Sequence, residues 1–157
     1  MARAARSAPG GAVIGSYDDL AAWLAGRERA ELDEPFTYTL GADGVLRLAP
    51  RRSEHVACAG GEPVCAAGEL GFARGRGEGR WLVAEASNLS TGYCPDVTCW
   101  PALAAALDHL GVGRPDAWTY PITFRRCAAC GERNIVRDHD FTCALCAAEL
   151  PRDWNFA

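Results

Sequence analysis

The spacing of apolar side chains changes period several times along this chain, and each change marks an element. Tyr17, Leu20, Ala21 and Leu24 recur at helical intervals behind Ser16, a residue able to cap a helix, and Asp19 three positions on completes a capping-box pattern. Gly26 and the charged run to Glu34, closed by Pro35, end that helix. Phe36, Tyr38 and Leu40 then alternate with threonines. The stretch from Gly41 to Gly44 supplies a turn containing Asp43-Gly44, and Val45 to Leu48 return as the second arm of a hairpin. A second strand pair, Val64 to Ala73 and Trp81 to Ala86, follows the Gly60-Gly61-Glu62-Pro63 turn, with Gly75, Gly77 and Gly79 in its connecting loop. Within that pair, Trp81, Val83 and Glu85 alternate with Leu82, Ala84 and Ala86, which leaves the buried face undecided. Gly68 and Gly71 predict a bulge or a close backbone approach. Trp100, Leu103, Leu107 and Leu110 share one side of a helix that opens near Pro101 and stops at Gly111. Trp118 to Arg126 reads as a final strand.

These elements make an α+β chain, an antiparallel sheet with two helices and a C-terminal zinc ribbon. The expected organisation is a flexible arm over residues 1–11, an α+β domain over 12–122, and the ribbon with an aromatic C-terminal tail over 123–157. The 157 residues suffice for one ordinary hydrophobic core and a small appendage, not for two full-sized domains. Composition, 49% hydrophobic and 23% charged, excludes a disordered or fibrous chain. No apolar run nears the ~20 residues needed to cross a bilayer, and no apolar h-region follows the basic first residues, so a cytoplasmic protein is expected. All 16 basic residues are arginines, which excludes chemistry that needs a lysine. The net charge of −4 gives no global attraction to nucleic acid or anionic lipid.

The ribbon rests on two cysteine pairs, Cys127-Ala-Ala-Cys130 and Cys143-Ala-Leu-Cys146. Two residues between thiolates let a tight turn aim both sulfurs at one cation, and Gly131 supplies backbone freedom directly after the first pair. Four thiolates suit one tetrahedral structural Zn²⁺ with no open position for water. In a segment this short, the ~10–16 kcal/mol of zinc binding seen in small zinc peptides would largely be folding energy. Between the pairs, a strand around Ile135-Val136, a turn at Asp138-His139-Asp140 and a return at Phe141-Thr142 complete a zinc-ribbon plan. A dithiol redox pair is the competing reading, with no thioredoxin-like βαβ pattern to support it. Cys58, Cys65, Cys94 and Cys99 are either a second metal site or small buried thiols.

The stretch from His55 through Gly60-Gly61, Pro63-Val64 and Ala66-Ala67-Gly68-Glu69, continued by Ser90, Tyr93 and Pro95, resembles a module of bacterial secreted-toxin polypeptides and plant IQ-motif calmodulin-binding proteins. That module carries a similar His…Gly-Gly…Pro-Val…Ala-Ala-Gly-Glu segment, then a strand and a Ser-Gly-His-Tyr-x-Pro turn ahead of a helix. The likeness runs from Ser53 to Gly111 and departs at the turn, where Thr91-Gly92 stand in place of Gly-His. Joined to a ribbon ending in Leu150-Pro151-x-x-Trp154-Asn155-Phe156, it also resembles a group of small, uncharacterised bacterial proteins. The resemblance implies an architecture, not a reaction, and the absent turn histidine weakens any catalytic role carried over from it.

Chemically, His55 is a candidate base or proton shuttle, Glu69 its orienting or acidic partner, and Tyr93 a hydroxyl donor, with Ser90 or Cys94 as nucleophile. The alternatives are that His55 caps a strand, Glu69 bonds a loop backbone and Tyr93 ties its hydroxyl to main chain. For the ribbon, Arg125, Arg126, Arg133 and Arg137 with Phe141 and Trp154 form a candidate nucleic-acid stripe. From Cys127 onward, however, three arginines face five acidic residues. The foremost expectation is therefore a zinc-binding module that contacts a protein partner. The others are an enzyme or toxin-type effector with a His55/Glu69/Tyr93 pocket and a nucleic-acid binder.

Overall fold

Alternation in Phe36–Gly41 produces a strand covered on both faces. Phe36, Tyr38 and Leu40 point into the main core, while Thr37 and Thr39 are equally buried on the opposite side. The computed structural model describes residues 10–76 and 79–156; most of the expected arm, and Gly77 in the connecting loop, lie outside those residues. In chain order the elements are β1 (Ala12–Ile14), α1 (Tyr17–Ala25), the one-turn helix α2 (Arg29–Leu32), β2 (Phe36–Gly41) and β3 (Leu46–Ala49). There follow the one-turn helix α3 (His55–Cys58), β4 (Val64–Arg74), β5 (Trp81–Ala86), α4 (Trp100–His109), β6 (Thr123–Arg126) and β7 (Arg133–Val136). The first five strands form one antiparallel sheet in the order β1-β3-β2-β4-β5, and β6 and β7 make a separate two-stranded sheet.

Local chemistry accounts for the long elements. The Ser16 hydroxyl accepts from the Asp19 N–H at 3.1 Å, and the Asp19 carboxylate accepts from the Gly15 N–H at 2.9 Å, which caps α1. Leu20 and Leu24 of α1, and Leu103 and Leu107 of α4, join Tyr38, Leu40, Leu48, Leu70 and Val83 in one core. The crossover from β3 to β4 passes over the other face of β2. There the Thr37 hydroxyl donates to the carbonyls of Arg51 and Ser53 at 3.0 and 3.3 Å, and Cys58 packs against Thr39.

Several details depart from the sequence pattern for physical reasons. β1, α2 and α3 are three or four residues long, too short to carry a period. Gly10 and Gly11, placed in the expected arm, are held: the Gly11 N–H donates to the Cys58 carbonyl at 2.7 Å. Only Thr123–Arg126 of the expected strand from Trp118 forms a ladder. Residues 119 and 120 bond to the Ala86 carbonyl in an isolated parallel bridge, and Pro121 has no N–H to extend it. Both expected glycine effects occur: a bulge between Gly71 and Phe72, and a backbone contact at Gly68 so close to Ser87 that a Cβ would overlap its carbonyl.

Candidate metal centre and the adjoining cleft

Two turns of the same design bring the four C-terminal cysteines together. In the first, the Gly131 N–H bonds to the Cys127 carbonyl at 2.8 Å and the Cys127 N–H to the Glu132 carbonyl at 2.8 Å. In the second, the Ala147 N–H bonds to the Cys143 carbonyl at 2.9 Å and the Cys143 N–H to the Ala148 carbonyl at 2.8 Å. The four Sγ atoms lie within 4.8 Å of one another, with Cys127–Cys146 at 3.6 Å and Cys130–Cys143 at 3.7 Å. A tetrahedron with metal–sulfur bonds of about 2.3 Å has edges of about 3.8 Å, so this cage fits one metal ion. The four thiols split: against the Glu132 N–H, which lowers it, burial and the other three sulfurs push Cys130 up to about 12, and Cys146 is raised despite the Ala148 N–H. The Cys130 N–H holds the Cys127 thiol below its ordinary pKa, and the Cys146 N–H, aided by the Asn134 amide, brings Cys143 down to about 6.

Sequence reasoning did not single out Asn134. Its side chain is buried at the start of the β7 return, where it donates to the Cys143 Sγ at 3.5 Å and the Glu132 carbonyl at 3.1 Å and accepts from the Ala144 N–H at 2.9 Å. One amide thereby ties the two turns to each other. The Asp138-His139 turn takes positive φ at both central positions, 52° and 58°, the geometry of a tight hairpin, so His139 serves the turn. Among the described residues this is the one cysteine, histidine and carboxylate cluster able to hold a metal. Cys58, Cys65, Cys94 and Cys99 do not converge; burial raises all four thiols, Cys99 to about 12.

Three arginines of the candidate nucleic-acid stripe, Arg125, Arg126 and Arg133, make contacts within the protein. Arg125 donates to the carbonyls of Pro151 and Arg152, and the guanidinium of Arg126 lies over Phe156. Phe141 is flanked by the guanidiniums of Arg125 and Arg152 at 5.8 and 4.2 Å from its ring. The aromatic tail folds back: the Asn155 amide pairs with both backbone groups of Arg126, and the Trp154 indole donates to the Cys94 carbonyl at 2.8 Å.

His55 and Glu69 line one cleft of about 520 Å³, together with Arg51, Arg52, Thr91 and Gly92. His55 Nε2 sits 2.9 Å from the Gly68 carbonyl, and because a carbonyl only accepts, Nε2 carries the proton. Burial lowers the pKa of His55, so in the neutral ring Nδ1 is a bare base. Burial also raises the Glu69 carboxyl, an effect opposed by Arg51 and reinforced by Glu34 and Glu85. Arg51 is itself paired with Glu34 at 3.0 Å. Tyr93 stands apart from these two. Its hydroxyl donates to the Glu62 carbonyl at 2.8 Å, and its ring borders a different cleft with Cys99 and Trp154. Ser90 and Cys94 are buried, the Ser90 hydroxyl accepting from the Tyr93 N–H and the Cys94 thiol donating to the Thr91 carbonyl.

No described helix is long and apolar enough to cross a membrane. No protein-family model matches this chain, and neither does any curated protein or solved structure.

Proposed function

We propose that this chain is a zinc-stapled protein-interaction module, in which one Zn²⁺ on Cys127, Cys130, Cys143 and Cys146 holds a recognition surface. Four thiolates leave no coordination position for substrate, so the metal's role is to fold the ribbon. The observation that carries the interaction reading is Leu145. It stands 69% exposed at the second cysteine turn, beside an apolar groove of about 390 Å³ lined by Phe124, Ile135, Ala144 and Arg133. A large aliphatic side chain held out next to an apolar groove with charged neighbours has the makeup of a contact site. The contacts that Arg125, Arg126 and Arg133 make within the protein, and the acidic excess after Cys127, argue against a nucleic-acid partner.

Two measurements test this. Metal analysis of the purified chain should find one zinc per molecule, and a sulfur-ligated iron spectrum would refute the zinc assignment. A photoreactive residue at position 145 should give one reproducible adduct in the native cells that the same probe at position 52 does not; equal adducts, or none, would refute the contact. A second reading, an acid–base site at His55 and Glu69, is favoured by the bare His55 Nδ1 and the uplifted Glu69 carboxyl sharing one cleft. It predicts a turnover lost in both His55→Ala and Glu69→Gln and retained in Tyr93→Phe.

A further inference from the structure

We infer that metal binding at the four cysteines positions one wall of the His55–Glu69 cleft through Arg133, so that the cleft is shaped only in the metal-loaded chain. The inference rests on the metal reading above and adds a regulated element to it.

Arg133 is locked from both sides by groups that belong to the cysteine turns. The carbonyl of the preceding residue, Glu132, accepts the Cys127 N–H at 2.8 Å, within the first turn. The side chain of the following residue, Asn134, holds the Cys143 Sγ and the Ala144 N–H of the second turn. The backbone of Arg133 is thus held by the cage on both sides, in addition to its ladder pairing with Arg126 of β6. Its guanidinium leaves the ribbon and donates through Nη1 to the carbonyls of Thr91 at 2.8 Å and Gly92 at 3.3 Å.

Thr91 and Gly92 are wall residues of the cleft. Gly92 also lies against α3, where an added Cβ would stand 3.3 Å from Val56 Cγ2, one residue from His55. The loop holding them has other restraints, among them the Cys94 thiol, which donates to the same Thr91 carbonyl at 3.4 Å. The Cys94 N–H bonds to the Ser90 carbonyl at 2.7 Å, and the Tyr93 N–H to the Ser90 hydroxyl at 3.3 Å. Its far ends are tied by the Tyr93 hydroxyl to Glu62 and by the Trp154 indole to Cys94. Cys94 has φ +46°, a backbone conformation a non-glycine residue holds only when its surroundings impose it. One group bonded to the Cys94 backbone, the Trp154 indole, comes from the tail, and Arg133 of the ribbon holds the two carbonyls at positions 91 and 92 just before it. Losing the metal loosens the start of β7, which the β6 ladder alone then holds, and with it the Arg133 contacts to the two loop carbonyls. Arg133 is thus a positioning residue for the cleft, and Lys in its place keeps the positive charge and N–H donors but not the planar guanidinium that fixes their direction.

The experiment compares the full chain in four forms: zinc-loaded, zinc-stripped, zinc-loaded Arg133→Ala and zinc-loaded Arg133→Lys, with zinc content measured in each. Hydrogen exchange is read at the Tyr93 and Cys94 amides, and the His55 ring resonance is read by NMR, with His109 on α4 as the internal reference. We expect the two amides to exchange about tenfold faster in the stripped chain and in loaded Arg133→Ala. The His55 resonance should move in both while that of His109 stays, and Arg133→Lys should recover part of each change. Exchange in loaded Arg133→Ala within threefold of wild type, or a stripped chain with an unmoved His55 resonance, overturns the coupling while leaving the metal site standing. A wild-type chain that takes up no zinc overturns the metal reading as well, and the metal assay separates that outcome from the first.

Discussion

Gly131 and Ala147 occupy the same place in the two cysteine turns, each donating its N–H to the carbonyl of the leading cysteine, with φ of +82° and +65°. That conformation suits glycine and costs an L-residue roughly 1–2 kcal/mol. The second turn is therefore the strained one. We expect Ala147→Gly to stabilise the metal-loaded chain by about 0.5–1 kcal/mol, part of the relief being offset by the looser unfolded chain. Gly131→Ala should cost about 1 kcal/mol, all of it conformational, since a Cβ there meets nothing within 4 Å. Denaturant unfolding of the loaded proteins checks both, and a destabilised Ala147→Gly would contradict the shared-turn account.

Asn134 gives a second expectation. Asn134→Ala removes the amide on the Cys143 sulfur and strands the Ala144 N–H, and Asn134→Asp adds a negative charge beside the thiolates. Either should weaken metal binding about 10–100-fold, the range for an outer partner of a metal ligand. Competition against a chromophoric chelator reads this, and an unchanged affinity in Asn134→Asp would remove the residue from the metal centre.

Gly68 sets the register of the cleft. A Cβ there would overlap the Ser87 carbonyl and press the Asn88 backbone, neither of which is a flexible side chain. Gly68→Ala should destabilise by about 3 kcal/mol or more, whereas Gly61→Ala, with open space around it, should cost only about 1 kcal/mol. Equal melting temperatures for the two variants would rule out the close approach.

The two cleft groups titrate with opposite consequences. Burial depresses the folded-state pKa of His55, so its contribution is present above the ordinary value of 6.5 and is lost as pH falls through the lower folded value. Burial raises that of Glu69, so its contribution is present below the ordinary 4.5 and is lost as pH rises through the higher folded value. At pH 7 Glu69→Gln should accordingly be more stable than wild type, with the gap closing below pH 4.5. His55→Gln should gain on wild type as pH drops below 6.5. Stability curves measured by denaturant across pH 4–8 test the signs.

The cysteine pairs, the capped helix at Ser16, the helix from Trp100 to Gly111 and both strand pairs were legible in the sequence. Each is set by contacts a few residues apart, and short-range spacing records such contacts directly. β1 was not legible, because three residues pairing with β3 leave no period. Nor was the pairing of β2 with β4 rather than with a chain neighbour alone, since antiparallel alternation fits several partners equally well. The face of β5 was undecided for a related reason: the bulge at Gly71 and Phe72 resets the alternation partway along.

The same division runs through the candidate site. The sequence by itself determined which four thiols cluster as a candidate metal site, because two residues between cysteines fix the geometry of each turn locally. Only the tertiary structure decided that Asn134 joins the turns, that His55 hangs from the Gly68 carbonyl, that Tyr93 is tied to Glu62, and that Arg133 reaches Thr91 and Gly92. Each of these is a side chain bonded to a backbone carbonyl, Asn134 adding a sulfur and a backbone N–H to its own. Every residue offers the same carbonyl, so no residue type marks the acceptor, and the partner is chosen by how the two sheets and their connecting loops pack.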